Sequence, residues 1–257
     1  MATPSPPKAT RSNPPKKALF FGSVAKQSFV VIKVGPEKVP YEVHKALLTH
    51  YSEYFSSALN GPWKEAQENS ITLNDIDPKT FGIFVHWLYT QKIATEEEVN
   101  HILETHPCDE HDDNPYITVL TEAVVFGDRF LAPDFRKAAQ NHTVDYICRQ
   151  NGKHMVPFLY ASKYAFENLP DSHKLCKFLI VVHCHYMRYH GGYMDGLMTG
   201  WYRDNLPRTF LVGLIKRYTV LAEILSYSGY GPDDRCTYHE HADRHERNEC
   251  KQEAMRK

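Results

Sequence analysis

Apolar and polar positions alternate over residues 39–43, which is the pattern of a strand with one buried face. Upstream of it, the FVVIKV run at residues 29–34 is rich in β-branched side chains and stops at Gly35-Pro36. Two such runs joined by a short turn predict a β-hairpin. Ile71-Thr72-Leu73 predicts one further short strand.

The spacing of apolar residues becomes helical after His44. Ser52 has a short oxygen-bearing side chain that accepts hydrogen bonds from the free N–H groups of a first helical turn. The segment that follows is therefore predicted as a short helix with Phe55 and Leu59 on one face, ending at Asn60-Gly61-Pro62.

The most regular helical pattern starts at Asp77-Pro78, with Asp as the N-cap and Pro at the first helical position, where no N–H is needed. Apolar residues then recur at i, i+3, i+4, i+7 and i+8, which predicts one buried stripe. They are Phe81, Phe84, Val85, Leu88 and Tyr89. We expect this stripe to pack against Phe55 and Leu59.

Five fragments in this order resemble the BTB/POZ domain, a protein-interaction module. They are VHKALL (43–48), SEYF (52–55), ALNGPWKE (58–65), ITL (71–73) and DPKTFGIFVHWLYT (77–90). The resemblance implies an α+β fold, the BTB/POZ fold, in which a small sheet is capped by helical hairpins. Much of the family has an Asp before the first strand, facing the basic residue that Lys45 matches. Ser28 stands there in this chain, so no buried ion pair is expected at Lys45.

Residues 94–114 contain eight acidic side chains and no Lys or Arg, and we predict a loop. Its histidines and its cysteine lack the paired spacing of a tetrahedral metal site. They are His101, His106, Cys108 and His111.

Beyond this loop, ITVLTEAVVFGDRFLAP resembles a helix of the BTB family, with Asp128, Phe130 and Pro133 at matching positions. Residues 116–131 and 135–147 are predicted to form an antiparallel helical hairpin that completes the domain. In the second helix we expect Phe135, Ala138 and Ala139 to pack and Arg136 and Lys137 to face outward.

The chain divides into four predicted regions. Residues 1–26 form a Pro/Lys-rich leader, predicted to be disordered because its first 17 residues carry five prolines and four basic side chains and almost nothing apolar. Residues 27–150 form the BTB/POZ domain. Residues 153–227 form an all-helical extension, and residues 228–257 form a polar tail that contains Cys and His.

Three segments of the extension are predicted as helices: VPFLYASKYAFENLPDS, KLCKFLIVVHCHYM and LPRTFLVGLIKRY. This layout resembles compact BTB proteins typical of filamentous fungi, in which helices follow the domain. The cluster of His183, Cys184, His185 and His190 is interpreted as packing and solvated side chains, because i and i+2 neighbours point apart on a helix.

Composition is that of an ordinary globular protein of 257 residues, with 42% hydrophobic and 24% charged residues and a formal net charge of −1. It therefore lacks the basic excess of a dedicated nucleic-acid binder. No apolar run approaches the roughly 18 to 20 residues of a membrane helix, and the N-terminus lacks the apolar segment of a signal peptide. Six scattered cysteines are typical of reduced thiols, so we predict an intracellular protein of the cytoplasm or nucleus.

No catalytic motif is evident: the sequence has no phosphate-binding glycine loop, no nucleophile elbow and no His-Glu-x-x-His. We predict that the protein is not an enzyme and binds no catalytic cofactor.

The tail has the densest set of metal-capable side chains in the chain, and thiolate with imidazole suits zinc. The candidate ligands are Cys236, His239, His241 and Cys250, with His245 as an alternative. A mobile hydrophilic tail with incidental histidines is the competing interpretation.

The resemblance implies two kinds of interaction surface, one for self-association and one for cullin scaffolds of ubiquitin ligases. In members that bind the scaffold, a bulky hydrophobic residue, any residue and Glu follow the second helix, and Trp63-Lys64-Glu65 matches this pattern. The first hypothesis is an adaptor that links a client protein to a cullin. The alternative interpretation of Trp63 is that it only caps the domain core and contacts no partner.

The second hypothesis is a self-associating scaffold or a transcription-associated protein without a ligase role. Strand-exchanged dimers of the family use an extra helix and strand before the hairpin, and residues 18–26 are too short for both. At most a weak homodimer is expected. Phe20 and Phe21 belong to an apolar patch that either folds back on the domain or contacts a partner.

Overall fold

The computed structural model describes residues 19, 21–26, 28–103, 109–150, 158–189, 204–223, 236 and 238–255. Predictions about residues 1–18, Phe20, His106, Cys108 and His190 lie outside the described residues.

The sheet has three strands in the order β2-β1-β3. Strand β1 (Phe29–Val34) pairs antiparallel with β2 (Val39–His44), as the hairpin prediction requires, and Val34 lies opposite Val39. Gly35 permits the tight turn between them because it adopts a φ of 76°. Strand β3 (Ser70–Leu73) runs parallel to β1 on its other edge. The small sheet with its many helices is the predicted α+β BTB fold.

Four short helices flank the sheet. They are α1 (Phe21–Val24), α2 (Lys45–Tyr51), α3 (Glu53–Asn60) and α4 (Lys64–Glu68). Ser52 caps α3 as predicted, since its Oγ accepts from the Phe55 N–H at 3.1 Å. The same hydroxyl donates to the carbonyl of Phe130 at 2.6 Å, which ties α3 to a distant part of the chain. Helix α4 was not predicted.

The leader prediction extended too far. Val24, in α1, is 2% exposed, and Leu19 packs against the core. Apolar side chains in that stretch pack on the domain, so the prediction of disorder is wrong for the described residues 19 and 21–26.

Lys45 and His44 lie at the boundary between β2 and α2. Lys45 Nζ donates to the carbonyl of Leu59 at 2.7 Å, and this backbone acceptor takes the place of the carboxylate that the family commonly supplies. His44 Nδ1 lies 2.8 Å from the Tyr89 hydroxyl.

Helix α5 (Pro78–Thr90) begins as predicted, with the Asp77 carboxylate accepting from the Lys79 N–H at 2.8 Å. Phe81, Phe84 and Leu88 are fully buried. The predicted stripe is wrong at its far edge, because Tyr89 is 38% exposed while Trp87 is only 3% exposed. The buried face is therefore turned toward Trp87, whose ring packs against those of Tyr51 and Phe135.

Residues 96–103 form helix α6 (Glu96–Leu103), where a loop was predicted. Thr95 and Glu98 build a capping box, in which Glu98 accepts from the Thr95 N–H at 2.7 Å and Thr95 Oγ1 accepts from the Glu98 N–H at 3.4 Å. Three Glu residues in the first turn suit the positive end of the helix dipole. The first acidic residues of the stretch that suggested a loop therefore form the first turn of a helix.

The second helical hairpin is formed by α7 (Pro115–Arg129) and α8 (Pro133–Arg149). Phe135 and Ala139 are fully buried, as predicted, and Ala138 packs at the edge of the core. The extension follows with α9 (Leu159–Asn168), α10 (Lys174–Tyr189) and α11 (Arg208–Glu223), at the three positions predicted. The tail ends in α12 (Arg244–Met255).

His183 and Cys184 lie on α10 and are fully buried, which confirms their interpretation as packed side chains. His183 Nε2 is 2.7 Å from Ser162 Oγ on α9. Burial lowers the pKa of His183 to about 3, so the ring is neutral at physiological pH.

Phe84 lies where several helices meet, and its ring contacts those of Phe55 in α3, Phe126 in α7 and Phe135 in α8 at centroid distances of 6.1, 4.9 and 5.0 Å. We expect Phe84→Ala to lower the free energy of unfolding by about 3 to 5 kcal/mol, because it removes a buried ring and leaves a cavity. Urea denaturation measures this loss. Phe29→Ala is the matched control, since Phe29 is 50% exposed. Equal losses in the two variants would contradict the burial of Phe84.

Glu122 on α7 lines an open cleft of about 390 Å³ and accepts from Thr80 Oγ1 of α5 at 2.6 Å. Burial raises the pKa of its carboxyl to about 7; Asp77 and Asp112 add to the rise, and Lys79 and the Thr80 hydrogen bond oppose it.

Because the pKa of Glu122 is raised in the folded state, its carboxyl lowers the free energy of unfolding over a defined range of pH. Below the ordinary value of 4.5 the group is protonated in both states and contributes nothing. Between 4.5 and about 7 the folded state binds more protons, so the free energy of unfolding falls as pH rises. The full penalty, up to about 3 kcal/mol, is present above pH 7.

Glu122→Gln should therefore stabilise the protein above pH 7 and leave it nearly unchanged at pH 4, because the amide keeps an acceptor for Thr80 without a charge. Thermal unfolding across this pH range measures the difference between the variant and the wild type. A difference that is constant with pH would show that the carboxyl has an ordinary pKa.

Candidate interaction edge and tail cluster

Trp63 lies between α3 and α4 and is 59% exposed. The interpretation that it caps the core is therefore wrong. A Cβ at Gly61 would come within 2.6 Å of the indole Cδ1, so the absence of a side chain at Gly61 lets the ring lie across the backbone. The local backbone thus leaves room for the ring at the surface.

Glu65 is in the first turn of α4 and is half-buried. Nearby, Tyr54 on α3 is 38% exposed, and its pKa is raised by burial and then by the negative charge of Glu65. Tyr54 also lines an open depression of about 400 Å³, whose rim carries an ion pair between Arg129 and Asp75 at 2.6 Å. Trp63, Glu65 and Tyr54 form a surface that we call the tryptophan edge.

Of the proposed contact residues at the N-terminus, Phe20 lies outside the described residues and Phe21 begins α1. The neighbouring Leu19 and Val24 pack on the domain core. Two roles were predicted for the patch, packing on the domain or contact with a partner. The positions of Leu19 and Val24 favour packing on the domain.

The tail brings the predicted ligand residues together. Cys236 Sγ lies 3.7 Å from His241 Nε2, and His239 Nδ1 lies 3.3 Å from Cys250 Sγ. Ligand atoms of Cys236, His241 and Cys250 all fall within 4.8 Å of one another. His245 does not join them: its side chain is 80% exposed and lies 3.6 Å from Glu249.

The tail docks on α8 and α10, so the prediction of a mobile tail is wrong for the described residues 236 and 238–255. Arg136 donates to Glu240 at 2.5 Å, and Lys137 pairs with Glu246. Lys174 on α10 donates to the carbonyl of His239 at 2.8 Å. Arg136 and Lys137 face outward from α8 as predicted, but the tail covers them in part.

Two further residues of the tail contact were missed by sequence reasoning. Asn141 Oδ1 accepts from the Glu240 N–H at 2.8 Å, and Asp145 Oδ1 lies 3.5 Å from His239 Nε2. Both are on α8, about a hundred positions before their partners. Lys137, Asn141 and Asp145 follow one another at intervals of four, which places them on one face of α8. This spacing indicates a shared face but not which segment covers it.

The described surface thus has an exposed aromatic edge and depressions that are open to solvent, which suits binding of a protein surface better than a reaction on a small molecule. Within the described part of the chain, no helix is both long and apolar enough to cross a membrane.

Comparison with known proteins identifies the domain that carries the tryptophan edge. A family model of the BTB/POZ domain matches residues 24–108, which therefore form a BTB/POZ domain, a protein–protein interaction module. The chain is also 32% identical, over 84 residues, to the BTB and MATH domain-containing protein 15 of Caenorhabditis elegans. That alignment covers 33% of this chain and 30% of the relative, so the chain spans less than a third of the relative's length.

The exposure of Trp63 can be measured by fluorescence. In a Trp201→Phe background, emission comes from Trp63, 59% exposed, and Trp87, 3% exposed. We expect one component that acrylamide quenches readily and one that it quenches poorly, and Trp63→Phe should remove the first. An unchanged accessible fraction in that variant would mean that the indole is covered.

Proposed function

We propose that this protein is a non-enzymatic adaptor that binds a cullin-type ubiquitin ligase scaffold through the tryptophan edge and presents a client protein to it. The exposure of Trp63, next to Glu65, is the observation that carries this proposal. Trp63-Lys64-Glu65 matches the pattern of scaffold-binding members of the family, and large aromatic side chains dominate the binding energy of many interfaces.

The position of the Trp63 ring supports the same proposal. A Cβ at residue 61 would come within 2.6 Å of the indole, so glycine there leaves the room that this exposed ring position needs. Tyr54, which lies near enough to Glu65 to be affected by its charge, offers a second aromatic surface with a polar tip.

The second candidate function is a self-associating scaffold or a transcription-associated protein without a ligase role. The described N-terminal segment has a single helical turn, α1, before β1. This is short for strand exchange, and for this reason we propose at most a weak homodimer.

The proposal extends to the subtype of BTB protein, the client-binding region and the cellular location. The helices α9, α10 and α11 suit the compact type of BTB protein typical of filamentous fungi, with this extension as the client-binding region. An adaptor of this kind would act in the cytoplasm or the nucleus.

Trp63→Ala/Glu65→Ala tests the adaptor function. In affinity purification of the full-length tagged chain, the double variant should recover at least about tenfold less cullin than the wild type, equivalent to a loss of about 1.4 kcal/mol. Both side chains are at the surface, so cooperative thermal unfolding should be retained.

Ile215→Ala/Lys216→Ala is the matched control, because it removes an apolar side chain that is 64% exposed and a neighbouring charge on α11. It should recover cullin at the wild-type level. Undiminished recovery by the Trp63/Glu65 variant would refute the assignment. Recovery of no cullin by a wild-type chain that sediments as a tight dimer at nanomolar concentration would favour the self-associating scaffold.

A further inference from the structure

We propose that Cys236, His239, His241 and Cys250 form a structural zinc site that clasps the tail across α8 and α10. The inference does not depend on cullin binding, because it uses neither Trp63 nor any other residue of the tryptophan edge.

The donor atoms suit zinc in kind and in spacing. Two thiolates and two imidazoles are a usual ligand set of closed, tetrahedral zinc sites. With bonds of about 2.3 Å to sulfur and 2.0 to 2.1 Å to nitrogen, neighbouring S and N ligands of a tetrahedron are about 3.6 Å apart. The two measured S···N distances are 3.7 Å for Cys236 and His241 and 3.3 Å for Cys250 and His239.

The four residues come from three parts of the tail, namely Cys236, the turn that carries both histidines, and α12. Cys236 and Cys250 are 14 positions apart, and the turn that carries both histidines lies between Cys236 and α12. Since Cys236, His241 and Cys250 already lie within 4.8 Å of one another, a shift of about 1 Å brings them to bonding positions around one ion. His239 lies outside this group of three, but its Nδ1 is 3.3 Å from Cys250 Sγ and would supply the fourth ligand.

The surroundings of His239 support its role as a ligand. The residue is 8% exposed, and its Nε2 is buried without a hydrogen-bond partner, 3.5 Å from Asp145 Oδ1. A histidine that binds zinc through one nitrogen commonly directs the other N–H at a carboxylate, which orients the ring. As a thiol, Cys236 donates to the carbonyl of Arg247 at 3.3 Å; on metal binding it loses that proton and becomes the thiolate ligand.

The tail needs such a link, because it has little apolar surface with which to fold. Helix α12 has the sequence RHERNECKQEAM, and a hydrophilic helix of 12 residues is marginal in water. Its ion pair to Lys137 is partly exposed and therefore adds little stability. A metal bound by Cys236 on one side and Cys250 on α12 would tie this helix to the segment that Arg136 and Lys174 hold on the body.

Native mass spectrometry and metal analysis of the full chain, purified with a tag that binds no metal, test the site. We expect about one zinc ion per chain in the wild type and none in Cys236→Ser/Cys250→Ser. Two controls should keep the zinc: Cys148→Ser, which removes a half-buried cysteine outside the cluster, and His245→Ala, which removes an exposed histidine from the same tail.

A second readout does not depend on metal content. Chelation of the wild type should speed proteolytic cleavage within residues 236–255 at least tenfold while the BTB/POZ domain stays intact, and added zinc should reverse the effect. His241→Ala, which keeps both thiols, should show the same accelerated cleavage without a chelator. Circular dichroism confirms that each variant retains its helical core.

Three results would overturn the proposal. One is a wild-type chain without zinc whose two thiols react freely with a labelling reagent, since the polar contacts alone would then hold the tail. Another is a disulfide between Cys236 and Cys250 in the protein purified under reducing conditions. The third is zinc that remains bound at the wild-type level in the double cysteine variant.

Discussion

Burial of one aromatic ring, that of Phe84, is the constraint on which the domain depends. Its ring contacts α3 through Phe55, α7 through Phe126 and α8 through Phe135. Aromatic rings in contact prefer offset and edge-to-face arrangements, so these contacts fix orientations as well as bury area. One turn earlier, Phe81 meets Tyr41 of β2 at 5.0 Å, which joins the sheet to the same cluster.

The parts of the fold that were predictable are those encoded by neighbouring residues. The Asp77 cap and the Ser52 cap act over two or three positions, and both form as the sequence indicates. The start of helix α6 is also encoded locally, since Thr95 and Glu98 form a capping box. The density of acidic residues in the same stretch indicates a loop, so two local signals conflict there and the capping box prevails.

The rest could not be predicted, because it depends on contacts between distant segments. The stripe on α5 was placed correctly except at its edge, since the burial of Trp87 depends on Tyr51 of α2 and Phe135 of α8, which are distant in sequence. In the tail, composition identified the four metal-capable residues, yet their docking depends on Arg136 and Glu240, which are 104 positions apart. No periodicity links two such residues before the chain is folded.

The two surfaces of interest are therefore held by different physical means. The described tail is held by polar contacts, such as those of Arg136 with Glu240 and of Lys174 with the carbonyl of His239. By contrast, the indole of the tryptophan edge lies over Gly61, where the lack of a side chain leaves room for it. An indole left 59% exposed gains stability only by covering that area with another surface. Because the ring is already at the surface of the folded domain, a partner could cover it without opening the core.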